Sequence, residues 1–305
     1  MKDTLLLSVD FEDWHQLVHR RLGLPDWDVR SEAFERQARF LLDLLDELGI
    51  TATFCLLGMT VRRYPDLVEE IVARGHEPAA HGFHHRPVYT QTREEFRSDL
   101  AECVAEIETV TGKRPVTYRA PLFSINRTTP WAYEELVDAG FRYDTSLYDS
   151  PKVPDRIGDA QPGPHVLELG GGKTLWELPV AVATVAGRRV PIGGGSYWRL
   201  LPEALVLRGL RSAVTTGGLP AVYLHPYEIS PEPLRARLPR PASVKQRLTA
   251  AERSLWRNAA RGRMQVRLRA VAGTFKLSSY EHAYRDLERR YGTRSRVLPR
   301  DGVVV

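Results

Sequence analysis

Short apolar runs alternate with amphipathic stretches along the first half of the chain, and each apolar run ends on ionisable side chains. Residues 4–10 read as a buried strand that delivers Asp10 to its carboxyl end. Ser31 can cap a helix in which Phe34, Ala38, Leu41, Leu42 and Leu45 recur at helical spacing until Gly49 stops it. A second β-rich run covers 50–57, a short helix 65–73 is closed by Gly75, and 76–81 is a third strand whose end carries histidines. A longer helix over 92–111 sets Phe96, Leu100, Val104 and Ile107 on one stripe. A strand at 116–120, a helix at 130–139 and a strand at 141–143 continue the pattern. Such alternation predicts parallel β/α units closing into a barrel, an α/β fold in which polar residues at strand ends meet at one face. Residues 150–200, rich in Gly and Pro, read as hairpins and loops; a helix at 202–215, a last strand at 221–224 and a helical tail from Ser243 complete the chain. The division expected is a barrel over 1–234 and a basic, mainly helical extension over 235–305 packed on it.

With 305 residues, 43% of them hydrophobic, the chain can bury a sizeable core. Its two cysteines imply no disulfide framework, and Cys55 lies in an apolar run where a buried thiol is expected. The amino-terminal apolar run is too short for a secretory signal, and no run approaches the roughly 20 apolar residues that span a bilayer. The expected location is cytoplasmic, with peripheral membrane association. Charge is unevenly spread: residues 235–300 hold 18 Lys and Arg against four Asp and Glu, whereas the remainder holds 25 against 34. A tail this basic suits an anionic membrane surface or a lipid-linked diphosphate; an Arg-rich helix packed on the body through its side-chain stems is the plainer reading. No nucleic-acid-binding motif accompanies the charge, so no such partner is expected.

Three carboxylates, Asp10, Glu12 and Asp13, end the first strand in a context of Leu and Val that normally excludes charge. Crowding of that kind raises a pKa or recruits a cation; a solvated acidic turn is the alternative. His81 and His85 stand four apart and share one face if the stretch is a helical turn, where they can grip one metal; a solvated His-rich loop is the alternative. Arg119 ends another apolar strand, where a guanidinium can lock a carboxylate, although a lone surface arginine is more common. Asp144 and His225 end later strands, and an acid that orients an imidazole is a familiar general-acid device.

The joint order of these groups resembles the polysaccharide deacetylase family built on the NodB homology domain. The motifs are Ser8-Val9-Asp10-Phe11-Glu12-Asp13, His81 to His85, Arg119-Ala120-Pro121, the segment around Asp144, and His225. The wording of Asp10 to Trp14, Tyr118 to Pro121, Gly193 to Pro202 and His225-Pro226-Tyr227-Glu228 is similar to the branch associated with exopolysaccharide and exosortase loci. The resemblance implies a distorted (β/α) barrel of the NodB type with loop insertions. It also implies hydrolytic removal of N-acetyl groups from N-acetylhexosamine units of a glycan, a lipid-linked sugar or a small glycoside. By the same resemblance a divalent metal, usually zinc, is bound by His81, His85 and a first-motif carboxylate, with Asp10 as general base and Arg119 holding it. A backbone N–H near Leu122 then serves the oxyanion, and His225, oriented by Asp144, protonates the amine.

This chain departs from the family's usual adjacent Asp pair, since Phe11 follows Asp10, so the metal carboxylate is either Glu12 or Asp13. Strand geometry favours Glu12, and a turn at Phe11 favours Asp13. Trp14, Trp176, Tyr197 and Trp198 are candidate sugar-stacking platforms, with core packing the ordinary role for at least two. Gly193 to Gly195 suits a flap, a close approach or a plain turn. Two other readings stay open: an amide or ureide hydrolase acting on a non-sugar small molecule, and a glycan-binding module without turnover.

Overall fold

Every residue from Leu5 to Phe11 in β1 (Thr4–Phe11) is buried, and a strand with no solvated face belongs inside a sheet covered on both sides. The computed structural model describes residues 2–24, 29–151, 153–157, 161–185, 188–236, 238 and 241–297. After β1 come α1 (Trp14–Arg21) and α2 (Glu32–Glu47). Ser31 caps α2 by accepting from the Phe34 N–H, as expected. β2 (Thr53–Leu56), α3 (Gly58–Arg63), α4 (Pro65–Ala73) and β3 (Glu77–Ala80) follow. The Thr92–Glu95 capping box opens α5 (Arg93–Thr111), and Gly112, at φ 65°, ends it. β4 (Thr117–Tyr118), α6 (Trp131–Asp138) and β5 (Tyr143–Asp144) complete the regular repeats.

The segment read as hairpins forms two: β6 (His165–Glu168) with β7 (Thr174–Glu177), and β8 (Val182–Val185) with β9 (Arg188–Pro191). Then come α7 (Ser196–Leu200), α8 (Glu203–Gly217), β10 (Ala221–Leu224) and α9 (Pro226–Ile229). The basic segment contains α10 (Val244–Asn258), α11 (Arg263–Thr274), β11 (Lys276–Ser278), α12 (Glu281–Tyr291) and β12 (Ser295–Val297).

One sheet runs β10-β1-β2-β3-β4-β5-β7-β6-β12, with β11 also paired to β1. The pairs from β10 through β7 are parallel. Bridges from Val180 to Ala221 and from Gly194 to Tyr223 bring the chain after β7 back to β10, closing a barrel distorted by its two-residue strands β4 and β5. Gly194 sits at φ 140°, and a Cβ there would overlap the Tyr223 carbonyl, so the Gly-rich stretch makes a close backbone approach that seals the barrel. Rings of Phe34 and Phe54 pack on Phe11 with centroids 4.9 and 5.9 Å away and fasten α2 to the sheet. Each such buried side chain contributes about 1.5–3 kcal/mol.

Many tail arginines hold the fold together. Arg261 donates to the Tyr227 carbonyl, Arg267 to those of Trp198 and Leu201, and Arg269 pairs with Glu47 at 2.6 Å. From the body, buried Arg199 donates to the carbonyls of Trp256, Arg257 and Ala259 at 2.9–3.0 Å, closing the carboxyl end of α10. Among the described residues, no helix is long and apolar enough to cross a membrane.

Candidate metal and acid–base site

The carboxyl ends of β1, β3, β4 and β10 converge. Past β1 the Glu12 N–H turns back to the Asp10 carbonyl at 2.9 Å, sending Glu12 towards the histidines. His81 Nε2 and His85 Nε2 lie 3.2 and 2.9 Å from the same Glu12 oxygen, Oε1. These three side chains offer ligand atoms within 4.8 Å of one another, and Asp10, Glu12 and His225 form a second such group.

His81 Nδ1–H donates to the Arg119 carbonyl at 2.8 Å, which leaves the Nε2 lone pair of a neutral ring facing a carboxylate oxygen. Two lone pairs at that distance repel unless a cation or a proton stands between them, and an Nδ1–H bond to a carbonyl commonly orients the ring of a metal-ligating histidine. Without a cation, protons on the imidazoles take that place: burial alone would raise the Glu12 pKa, but the charges of His85 and His225 and hydrogen bonds from His81 and His85 carry it well below the usual carboxylate range.

Residues 81–85 form no helical turn, the condition under which their spacing alone would put both histidines on one face. A loop with Gly82 at φ 74° and His85 at φ 54° aims the rings instead. Buried Asp99 on α5 shapes it, accepting from the N–H groups of Phe83 (2.6 Å) and His84 (3.2 Å). A Cβ on Gly82 would lie 2.9 Å from that carboxylate.

Asp13 does not join the histidines. Its Oδ1 caps α1, accepting from the His15 and Gln16 N–H groups, and its Oδ2 accepts from Tyr64 at 3.0 Å. Burial raises its pKa to about 6 against those bonds. Glu12 is thus the carboxylate available to a metal.

Fully buried Arg119 donates from Nη1 to Asp10 Oδ1 at 2.6 Å, from Nε to the Thr145 carbonyl, and from Nη2 to Thr145 Oγ1 and Tyr280 Oη. The rings of Phe123 and Tyr223 lie 5.4 and 5.6 Å from the guanidinium. Leu122 (φ 57°) and Phe123 (φ 56°), directly after Arg119-Ala120-Pro121, adopt left-handed backbone, as His85 does. Such residues cost about 1–3 kcal/mol each and persist where neighbours enforce them. The Leu122 side chain is exposed.

His225 Nε2 lies 3.9 Å from Asp10 Oδ2 and 3.7 Å from Glu12 Oε2. Its Nδ1–H donates to Glu228 Oε2 at 2.9 Å, so Glu228, and not Asp144, orients this imidazole. Burial would lower the His225 pKa, but Glu228, Glu12 and Asp10 raise it. Asp144 instead accepts from Ser146 N–H and Oγ at 3.0 and 2.7 Å and is hydrogen-bonded to Glu177. Burial, then the charge of Asp144, pushes the Glu177 carboxyl well above the usual carboxylate range.

The aromatic candidates divide. Trp198 is fully buried and donates to the Ile192 carbonyl at 2.8 Å. Trp14 is buried with Val18, Tyr227 and Leu234, and Trp176 packs against a cluster that includes Leu219, Leu287 and Tyr291. The core thus takes Trp14 and Trp198, whereas Trp176 is partly buried against its cluster. Tyr197 is partly buried against Phe123, Tyr148 and Val180, beside the rings that flank Arg119.

Glu228, Glu177, Asp99, Tyr280 and Arg257 were not singled out from the sequence. For Glu228 a signal existed: an acid three residues after His225 is the capping-box spacing, and the Glu228 carboxylate accepts the His225 N–H as well. No linear pattern marks Tyr280 or Arg257, which reach in from the tail.

Residues 32–143, which carry His81, His85 and Arg119, match the family described as Polysaccharide deacetylase. The chain carries a polysaccharide deacetylase domain. Residues 146–285 match a domain of unknown function, DUF3473, so that match takes in Tyr197, His225, Glu228, Arg257 and Tyr280. Similar proteins include the peptidoglycan deacetylase-like protein FGM2 of Gibberella zeae, 34% identical over 47% of this chain and 43% of its own length. A peptidoglycan deacetylase of Helicobacter pylori is 32% identical over 39% of this chain and 41% of its own length. The deacetylase-domain chain thus spans less than half the length of these relatives. Solved structures with the same fold include a polysaccharide deacetylase from Mycobacterium smegmatis (TM-score 0.61, 20% identity, 98% of this chain and 95% of that one). Another is PuuE allantoinase (TM-score 0.59, 16% identity, 94% and 90%). These likenesses establish the distorted (β/α) barrel expected from the sequence.

Proposed function

We propose that this protein hydrolyses the acetamide of an N-acetylhexosamine unit, releasing acetate and a free sugar amine. The observation that carries the reading is the gathering of Glu12, His81 and His85 donor atoms within 4.8 Å, with Asp10 and His225 beside Glu12. Two imidazole nitrogens and one carboxylate oxygen suit a divalent ion of zinc type with a position left open. Bound there, such an ion supplies Lewis-acid polarisation of the acetyl carbonyl and a more acidic water.

The remaining steps belong to the chain. Arg119 holds Asp10 Oδ1, so Oδ2 is the oxygen free to take a proton from the attacking water. As water oxygen bonds to the acetyl carbon, negative charge grows on the carbonyl oxygen, and the Leu122 N–H, held by left-handed backbone, is the backbone donor offered to it. His225 gives its Nε2 proton to the nitrogen as the C–N bond breaks, and Glu228 stabilises the imidazolium before that transfer. Peptidoglycan deacetylases among the relatives support a glycan substrate, and a lipid-linked sugar or small glycoside fits the same chemistry. The convergence of two imidazole nitrogens on one carboxylate oxygen supports the metal-dependent reading over a metal-free ureide hydrolase on the same barrel.

Acetate release from a panel of N-acetylated oligosaccharides and sugar-lipids tests the proposal. Wild type releases acetate and Asp10→Asn loses it by about 10²-fold or more, the scale of a lost general base. Binding of an N-acetylated glycan without turnover by wild type would instead identify a binding module.

A further inference from the structure

Helix α10 presents its apolar side chains outward and meets the body through polar ones. Val244, Leu248 and Leu255 are 73, 66 and 77% exposed, and Trp256 is 47% exposed. Spaced four and seven apart, the first three form one stripe along the helix. On the opposite side Ala250 is the one buried residue of α10. The attachments are Gln246 donating to the Leu22 carbonyl, Asn258 bonding both ways with Leu234, Arg257 over the Tyr227 ring at 5.3 Å, and the Arg199 cap. An apolar stripe turned to water on a helix fixed in this way is a docking surface.

Its surroundings are positive. Along α10 itself Lys245, Arg247, Arg253 and Arg257 face a single acid, Glu252. Lys245 and Arg247 flank the stripe and are exposed, and Arg21 at the end of α1 is exposed near Arg253. A second copy of the chain would bring this charge against its own like, so self-association through the stripe is opposed. An anionic bilayer meets both properties, taking the apolar residues below its headgroups and the basic ones among them.

We infer that α10 is an interfacial helix that docks the protein on an anionic lipid surface through Val244, Leu248, Leu255 and Trp256, with Lys245 and Arg247 at the headgroups. Arg257, the next residue after Trp256, lies over the Tyr227 ring and 4.0 Å from Glu228, which holds His225, so α10 borders the acid side of the cleft. Delivery of a lipid-held sugar would follow from the deacetylase reading; the docking does not depend on it.

Cosedimentation of the full chain with vesicles tests this, using phosphatidylcholine alone and phosphatidylcholine mixed with phosphatidylglycerol. Wild type should pellet with the mixed vesicles and not with the neutral ones. Leu248→Glu/Leu255→Glu and Lys245→Glu/Arg247→Glu should each weaken binding by about tenfold or more, with far-ultraviolet circular dichroism unchanged. Leu248→Ala/Leu255→Ala, which raises helix propensity, should weaken it too. Undiminished binding in these variants, absence of wild-type binding, or a wild-type dimer that the leucine variants dissociate in lipid-free sedimentation velocity would each overturn the inference.

Discussion

Replacing Glu228 by Gln removes one negative charge from behind His225 and changes little in shape. In the structure that carboxylate accepts the His225 Nδ1–H at 2.9 Å in a buried setting, and it is the largest influence raising the imidazole pKa against burial. A hydrogen bond to a charged group is worth about 1.5–3 kcal/mol, which at 1.36 kcal/mol per tenfold corresponds to a loss of roughly 10- to 150-fold in kcat. KM should stay within about twofold, because the group acts through His225 on the departing amine and not on the bound sugar. Initial-rate acetate release over a range of substrate concentrations separates the two constants. The Asp144→Asn variant is the internal comparison, since Asp144 engages Ser146 and Glu177. Unchanged kcat in Glu228→Gln, or a larger fall in kcat for Asp144→Asn, would refute the assignment of Glu228 as the residue positioning His225.

Gly194→Ala should destabilise the barrel by at least about 3 kcal/mol in urea unfolding, because positive φ and overlap with the Tyr223 carbonyl act together. Gly171→Ala, at φ 71° with open space around its Cβ, should cost only about 1 kcal/mol, and equal costs would contradict the closure described. Burial lowers the His76 pKa from 6.5 to about 4 while its Nδ1 accepts the Ala52 N–H. The depressed value makes its contribution to stability complete above about pH 6.5 and progressively lost as pH falls towards 4, by up to about 1.4 kcal/mol per pH unit. His76→Asn keeps an acceptor and removes the titration, so the wild-type advantage in urea unfolding should shrink between pH 7 and 4.5; a pH-independent difference would count against it.

Local structure was legible wherever short-range chemistry governs it. The Ser31 and Thr92 caps, the stripe of Phe96, Leu100, Val104 and Ile107, and the buried run of β1 each follow from residue types at fixed spacing. The approach of Asp10, Glu12, His81, Arg119 and His225 follows once parallel strands place their carboxyl ends together. What stayed hidden depends on which of two partners wins a contact in three dimensions. Asp144 ends β5 and Glu228 follows β10; Glu228 is carried to His225 by the short α9, whereas Asp144 is taken by Ser146 and Glu177. Asp13 and Glu12 differ by one position, and the cap of α1 decides between them. Helix α1 itself is short and polar and gives little periodic signal, so the sequence leaves Trp14 open between sugar platform and core, and the structure makes it core. The tail read as a basic cover, but it supplies β11 to the sheet and Tyr280 to Arg119, contacts more than 160 residues distant in sequence.

Divalent-metal content of the purified full chain, measured by plasma mass spectrometry after equilibration with zinc and gel filtration, bears most directly on the site. Wild type and Asp13→Asn should each retain one ion per chain, and Glu12→Ala and His81→Ala should retain none while remaining folded. Stoichiometric metal in Glu12→Ala, or none in wild type, would contradict the three-ligand centre on which the hydrolase reading rests.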